Sequence, residues 1–221
     1  MTLATRLVSS IRQVRTYALI ALGIVLLAIP YLVTDIMKAL TGIQYPFVAV
    51  IIAYGFIFGI VGLGFNLLLG YSGLVSFGHA GLFALGAYVQ GMMIRHLPVR
   101  YTLEVYLILA IVVCAALCAV YGLVAARRIS IFFGILTLAM GMVLYSLFVK
   151  LWYLTGGTDG LRVPTPALFG MTFAVTKEVW LTKIYYYYLL AALVICIIVM
   201  WVIVNSPFGK TLQAVRDNEL R

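Results

Sequence analysis

The sequence predicts an all-α fold: a polytopic transmembrane helix bundle with a glycine-rich third span and a short C-terminal helix outside the membrane. Three observations carry this. The chain has 221 residues, of which 65% are hydrophobic and 10% charged, and its mean hydropathy is +1.16. A soluble domain needs far more charge to cover its surface. Several apolar runs reach the roughly 18–20 residues that cross a bilayer as helix. These runs are continuous, whereas strands of a membrane barrel alternate apolar and polar residues, so helices are favoured.

The elements follow in order. Arg6, Arg12 and Arg15 precede an apolar run at about 17–34. No A-x-A-like cleavage site follows it, so the run reads as a first span that stays rather than a removed signal. Further spans are expected at about 46–69, 72–94, 103–126, 131–153 and 185–204. The third, dense in glycine and holding Ser76 and His79, reads as either a full crossing or a broken, re-entrant helix. The chain forms one transmembrane domain, and residues 205–221 close it as a charged, amphipathic helix. Pro207 and Gly209 break the last apolar run; Leu212 and Val215, with Leu220 less regularly, give an apolar side. Lys210, Arg216, Asp217 and Glu219 give polar sides. Such a helix suits docking to a soluble partner or lying on the lipid surface. Its mixed signs count against pure lipid binding, which favours Lys and Arg without Asp and Glu.

The formal net charge of +9 is not a nucleic-acid signal, because the basic residues fall mostly between apolar runs and no basic patch with interleaved aromatics exists. Loop Lys and Arg set orientation instead. With the N-terminal arginines inside, the inside also receives Arg127, Arg128, Lys210, Arg216 and Arg221. The outside receives Lys38, Arg95, Arg100, Arg162, Lys177 and Lys183, with Lys150 at a span edge. Six spans then place both ends in the cytoplasm; a re-entrant third segment would change that parity. The long loop at about 154–183 holds Thr155-Gly-Gly-Thr-Asp-Gly-Leu161, whose glycines permit tight turns. Trp180 and the tyrosines at 185–188 suit an interfacial aromatic belt.

Cys114, Cys118 and Cys196 form no CxxC or Cys/His cluster, so they read as packing residues and no metal site is expected. Between residues 46 and 94 there is no Asp, Glu, Lys or Arg, while glycines recur at 55, 59, 62, 64, 70, 73, 78, 81, 86 and 91. Two readings stand. Small residues let helix backbones pack closely in lipid. Alternatively, the segment at 70–86 lines a translocation route with exposed backbone, which is tolerated only where it is buried or faces a water-filled cavity. Proton-coupled carriers use intramembrane Asp, Glu or His; only His79 is available, with Asn66 and Gln90 as neutral polar groups. His79 reads as a hydrogen-bonded packing residue or as a relay. There is no P-loop GxxxxGK[ST] and no catalytic constellation, so neither an enzymatic activity nor a cofactor is expected.

Three motifs in order carry a resemblance. Gly70-Tyr-Ser-Gly-Leu-Val-Ser-Phe-Gly-His-Ala-Gly-Leu-Phe-Ala-Leu-Gly-Ala-Tyr88 closely resembles the glycine-rich segment of the permease subunits of branched-chain amino-acid ABC importers, with Leu82 in place of their aromatic. Thr155-Gly-Gly-Thr-Asp-Gly-Leu161 is similar to that family's outer-loop motif. Ser206-Pro-Phe-Gly-Lys-Thr-Leu-Gln-Ala-Val-Arg-Asp-Asn-Glu219 is similar to its cytoplasmic coupling segment. The last two motifs look more like the LivM type than the LivH type. Permeases of urea and short-amide importers are closely similar.

The resemblance implies a permease subunit in a bacterial inner membrane, paired with a LivH-like second permease. Two cytoplasmic ABC ATPases would supply the energy, and a periplasmic binding protein the small-molecule substrate. Family members continue with further spans beyond the coupling segment, which implies that this chain is the N-terminal part of a longer subunit. Gly209, Lys210, Leu212, Ala214, Val215, Arg216, Asp217 and Glu219 would contact the ATPase. Asn66, Gly70, Gly73, Ser76, Gly78, His79 and Gly81 are candidates for the route lining, and Thr158 and Asp159 for binding-protein contact or for capping the bundle. Competing readings are an ion-coupled secondary transporter, since sodium can be held by backbone carbonyls, and a non-transporting membrane scaffold.

Overall fold

The structure is a computed structural model that describes residues 17, 21–32, 36, 39–40, 46–97, 101–125, 130–171 and 180–217, with the side chains at 46, 47, 124, 130 and 217 outside the described set. The orientation-setting residues Arg6, Arg12, Arg15, Lys38, Arg100, Arg127, Arg128, Lys177 and Arg221 lie outside the described residues, as do Glu219 and the side chain of Asp217.

The described residues form helices and contain no strand beyond two isolated bridges, Thr102 with Ala167 and Leu168 with Met171. Helix α1 is Ala21–Tyr31. Helix α2, Pro46–Asn66, begins on a proline, whose missing N–H is free at a first helical position, and runs into a π-helical turn at Leu67–Tyr71. After a non-helical stretch come α3, His79–His96, then α4, Leu103–Ala125, α5, Ser130–Lys150, and the short α6, Trp152–Thr155. A π-helical turn at Trp180–Tyr185 leads into α7, Tyr186–Asn205, and α8, Pro207–Asp217, follows. Among the described residues, four helical stretches are long and apolar enough to cross a membrane: Val48–Tyr71, Leu103–Leu123, Ile131–Lys150 and Trp180–Asn205. Within the expected third segment, the helix proper starts only at His79.

The chain divides into two compact units. One comprises Met1–Phe58 and Val175–Val194. Its core is Ala49, Ala53, Phe56, Tyr186 and Leu189. Ala49 and Ala53, one turn apart on α2, leave room for the Tyr186 ring, which meets Phe56 edge-on at 5.1 Å. The Tyr186 hydroxyl donates to the Leu26 carbonyl at 2.8 Å, and Tyr187 to Leu27 at 2.9 Å. These bonds fasten α1 to α7 across 160 residues of sequence. Lys183 Nζ lies 5.3 Å from the Tyr31 ring centroid, a cation–π approach.

The other unit comprises Gly59–Ala174 and Ile195–Arg221. In it α3 packs against both α4 and α5 through Leu85, Val89, Ala110 and Phe148, with Tyr88 stacked on Phe148 at 4.4 Å. The outward faces are apolar: Ile108, Val112, Leu123, Phe132 and Val143 are all exposed. A soluble protein does not present such continuous apolar surface, and a lipid-facing bundle does. The chain is a multi-pass membrane protein.

Candidate functional site

The site is built around the interruption between α2 and α3, which lies wholly within the second unit. At the end of α2 the wide π turn leaves carbonyls that the regular ladder would have used. Ser72 takes two of them: its N–H donates to the Leu67 carbonyl, and its hydroxyl donates to Leu68 at 2.8 Å. Leu74 N–H also reaches the Leu68 carbonyl, at 3.0 Å. Gly73 then reverses the chain at φ +72°, a left-handed conformation that glycine adopts without penalty. Ser76 is buried in the non-helical stretch, and Gly78 starts α3, its carbonyl accepting from Gly81 N–H at 2.9 Å.

Gly78 and Gly81 face α5. A Cβ on Gly78 would overlap the Thr137 carbonyl and lie 3.0 Å from the Tyr121 hydroxyl. A Cβ on Gly81 would lie 3.0 Å from Gly141 Cα, and one on Gly141 would lie 3.2 Å from Gly78 Cα. Two backbones therefore meet directly, the close approach that small residues permit between membrane helices. The fully buried Thr137 is held by its own hydroxyl donating to Gly134 at 2.8 Å, and its carbonyl accepts from Tyr121 Oη at 3.0 Å. Beside this crossing opens a cleft of about 650 Å³, with Gly78, Ala80, Gly81 and Ala84 on one side and Gly141 and Tyr145 on the other. Thr158 also lines it, so the loop motif and the glycine-rich segment share one cavity.

The remaining route candidates sit elsewhere around the break. Asn66 is exposed, and its Oδ1 lies 2.6 Å from where a Gly70 Cβ would stand, so a side chain there would displace the Asn66 amide. His79, the first residue of α3, turns its ring edge-on to Phe65 at 5.6 Å and towards Gly64. Its Nδ1 is buried with no hydrogen-bond partner among the described residues. The ring packs against Phe65, as the packing reading expects, and its Nδ1 makes no hydrogen bond among the described residues.

The loop motif is a compact turn. Thr155 is buried; its hydroxyl donates to Phe148 at 2.6 Å, with Leu151 at 3.0 Å as a second acceptor, and accepts from Gly157 N–H at 3.2 Å. Gly156 and Gly160 take left-handed φ of +80° and +74°, and a Cβ on Gly156 would overlap the Gly160 carbonyl. This geometry presents Thr158 to the cleft and leaves Asp159 exposed.

Helix α8 is set at a sharp corner. Ser206 caps it: its hydroxyl accepts from Gly209 N–H at 3.4 Å and donates to Ile203 at 2.6 Å, with Pro207 at the first helical position. Gly209 is buried, because any Cβ would overlap the Val204 carbonyl. Its close contact is therefore with α7, inside the chain. Leu212 is half-buried, whereas Lys210, Ala214 and Val215 are exposed. Arg216 reaches back to the break: its Nη1 donates to the Gly70 carbonyl at 2.6 Å. Its Cγ lies 2.8 Å from where a Gly73 Cβ would be.

The sequence reading placed Arg216 and Gly70 in separate groups; the fold brings them together. It missed Phe208, which is 60% exposed one turn before Leu212 on the face that also carries Val215. It also missed Thr137 and Gly141, although Gly134 and Gly141, seven apart in an apolar helix, were a usable signal of a close crossing. Among the described residues no group of His, Cys, Asp and Glu could hold a metal ion.

A family model described as the permease component of branched-chain amino acid transport systems matches residues 47–221. Two curated relatives carry the name "High-affinity branched-chain amino acid transport system permease protein LivM". The one from Salmonella typhimurium is 28% identical over 74% of this chain, and the one from Escherichia coli is 27% identical over 74%. The chain spans 42% of the length of each. No solved structure matches it at a significant level. The family model covers the break, the Thr155–Leu161 loop and the C-terminal helix, so the chain belongs to the family of permease components of branched-chain amino acid transport systems.

Proposed function

We propose that the chain is the membrane-spanning part of an ABC importer permease that carries branched-chain amino acids across the bacterial inner membrane. A separate ATPase subunit supplies the energy. The observation that carries this reading is α8: an exposed amphipathic helix at a rigid corner, touching the glycine-rich break through Arg216. A helix held in this way can pass a push from a soluble partner into the bundle. Phe208, Lys210 and Val215 form the docking face, with Ala214 beside them. Gly209 sets the angle, and the half-buried Leu212 lies on the same helix behind them. Asp217 and Glu219 add polar contacts to the ATPase.

In this reading the cleft beside Gly78 and Gly81 belongs to the translocation route, and Ser76, Asn66 and His79 belong to the break that leads to it. No charged side chain lies between residues 46 and 94, so an amino-acid zwitterion is met by backbone dipoles at the helix break. Thr158 and Asp159 meet the periplasmic binding protein, and a LivH-like permease completes the pathway. ATP-dependent uptake of leucine, isoleucine and valine by vesicles holding the full-length subunit and its genomic partners tests the proposal. Uptake without the ATPase would favour an ion-coupled carrier, and uptake of urea in place of leucine would move the chain to the urea and short-amide importers.

A further inference from the structure

The contact between α8 and the break has a chemistry of its own. Gly70 belongs to the π turn that ends α2, where terminal carbonyls lack their ordinary ladder donors. The carbonyls of Leu67 and Leu68 are met locally, by Ser72 and Leu74. The Gly70 carbonyl is met by Arg216, 146 residues further along the chain. A guanidinium at the C-terminal end of a helix suits both the orphan acceptor and the negative end of the helix dipole. At 2.6 Å this is a short, charge-assisted bond.

Gly73 makes the contact sterically feasible. The chain turns there at φ +72°, and the space a Cβ would fill is taken by the methylene stem of Arg216. The break therefore accommodates the arginine twice: a carbonyl accepts its head, and a missing side chain admits its stem. We propose that Arg216 is a positioning residue that latches α8 to the glycine-rich break, so that movement of α8 displaces Gly70 and Gly73 and, through them, the start of α3 beside the cleft. This role rests on the importer reading above and deepens it. In the latched state Arg216 serves the permease interior, and docking to the ATPase falls to the other residues of α8.

The test uses the full-length subunit assembled with its partners in proteoliposomes, comparing the native protein with Arg216→Met and Arg216→Lys. Methionine keeps an apolar stem against Gly73 and removes the donor; lysine restores a cationic donor. Three quantities are measured: ATPase retained on the purified permease, ATP hydrolysed and leucine taken up. Arg216→Met should retain the ATPase and lower leucine carried per ATP about tenfold, within the roughly 5- to 150-fold range of coupling between sites. Arg216→Lys should recover a substantial part. A native ratio of uptake to hydrolysis in Arg216→Met overturns the latch. If Arg216→Met does not assemble, Arg216→Leu takes its place as the variant without a donor, and a native ratio there overturns the latch equally. Failure of the native protein to retain an ATPase overturns the importer reading itself, a different outcome from native retention with unaltered coupling.

Discussion

Gly78 and Thr137 lie so close that the carbonyl of the second occupies the place where a side chain of the first would begin. The Tyr121 hydroxyl completes the enclosure by donating to that same carbonyl. Helices α3 and α5 therefore touch backbone to backbone at the edge of the cleft, and the spacing there is fixed by the absence of side chains.

Gly81→Val should separate the two helices. Its Cβ would lie 3.0 Å from Gly141 Cα, closer than van der Waals contact, and overpacking of this kind destabilises by about 1–3 kcal/mol. Uptake should be abolished while retention of the ATPase on α8 persists. Leucine uptake and ATPase pull-down on the same preparation check this, and normal uptake would remove Gly78 and Gly81 from the route.

Thr155→Val should loosen the loop that presents Thr158. The replacement strips the Gly157 N–H of its acceptor and the Phe148 carbonyl of its donor, and an unmet buried partner costs about 1–3 kcal/mol. Hydrogen exchange at 156–160 should accelerate and the detergent melting temperature should fall. Unchanged protection would show that the glycine turns alone hold the loop.

Phe208→Asp combined with Val215→Asp should leave stability nearly unchanged, since both side chains are more than half exposed and surface replacements usually stay within about 0.5 kcal/mol. Retention of the ATPase should fall at least about tenfold, the equivalent of ~1.4 kcal/mol of lost docking energy. Binding at native strength would place the docking surface elsewhere.

Tyr186→Phe should lower the melting temperature without touching the site described in the other unit. It removes one hydroxyl bond, to the Leu26 carbonyl, and such a bond inside a membrane protein contributes about 1 kcal/mol. The ring, still edge-on to Phe56, retains its packing. An unaltered melting temperature would mean that α1 is held by its apolar contacts alone.

The all-α, polytopic architecture was legible because it depends on run length and the scarcity of charge, both local properties of sequence. The extent of the break was less so. Glycines at 70, 73 and 78 permit an interruption, but nothing in their spacing states that the helix resumes only at His79. The corner at Ser206–Pro207–Gly209 was visible as punctuation, yet Gly209 turns out to be pressed against α7. Arg216 shows where sequence reasoning ends. A polar residue on an amphipathic helix looks available to a partner, and a side chain that finds a backbone carbonyl 146 residues away leaves no periodic trace. Thr137 was hidden for a related reason: its importance lies in its carbonyl, which every residue type shares.

The π turn at Leu67–Tyr71 has a consequence for any residue-by-residue scan of this helix. A π turn pairs each N–H with the carbonyl five residues back, one more than the α-helix, and an extra residue in a helix of 3.6 per turn amounts to about 100° of rotation. The angular phase of α2 is therefore not continued beyond Asn66. Cysteines placed one by one along Val48–Tyr71 and labelled from the lipid phase should show a regular oscillation that slips out of step near Leu67. A helical wheel drawn straight through that point misplaces Gly70 by up to about a quarter-turn.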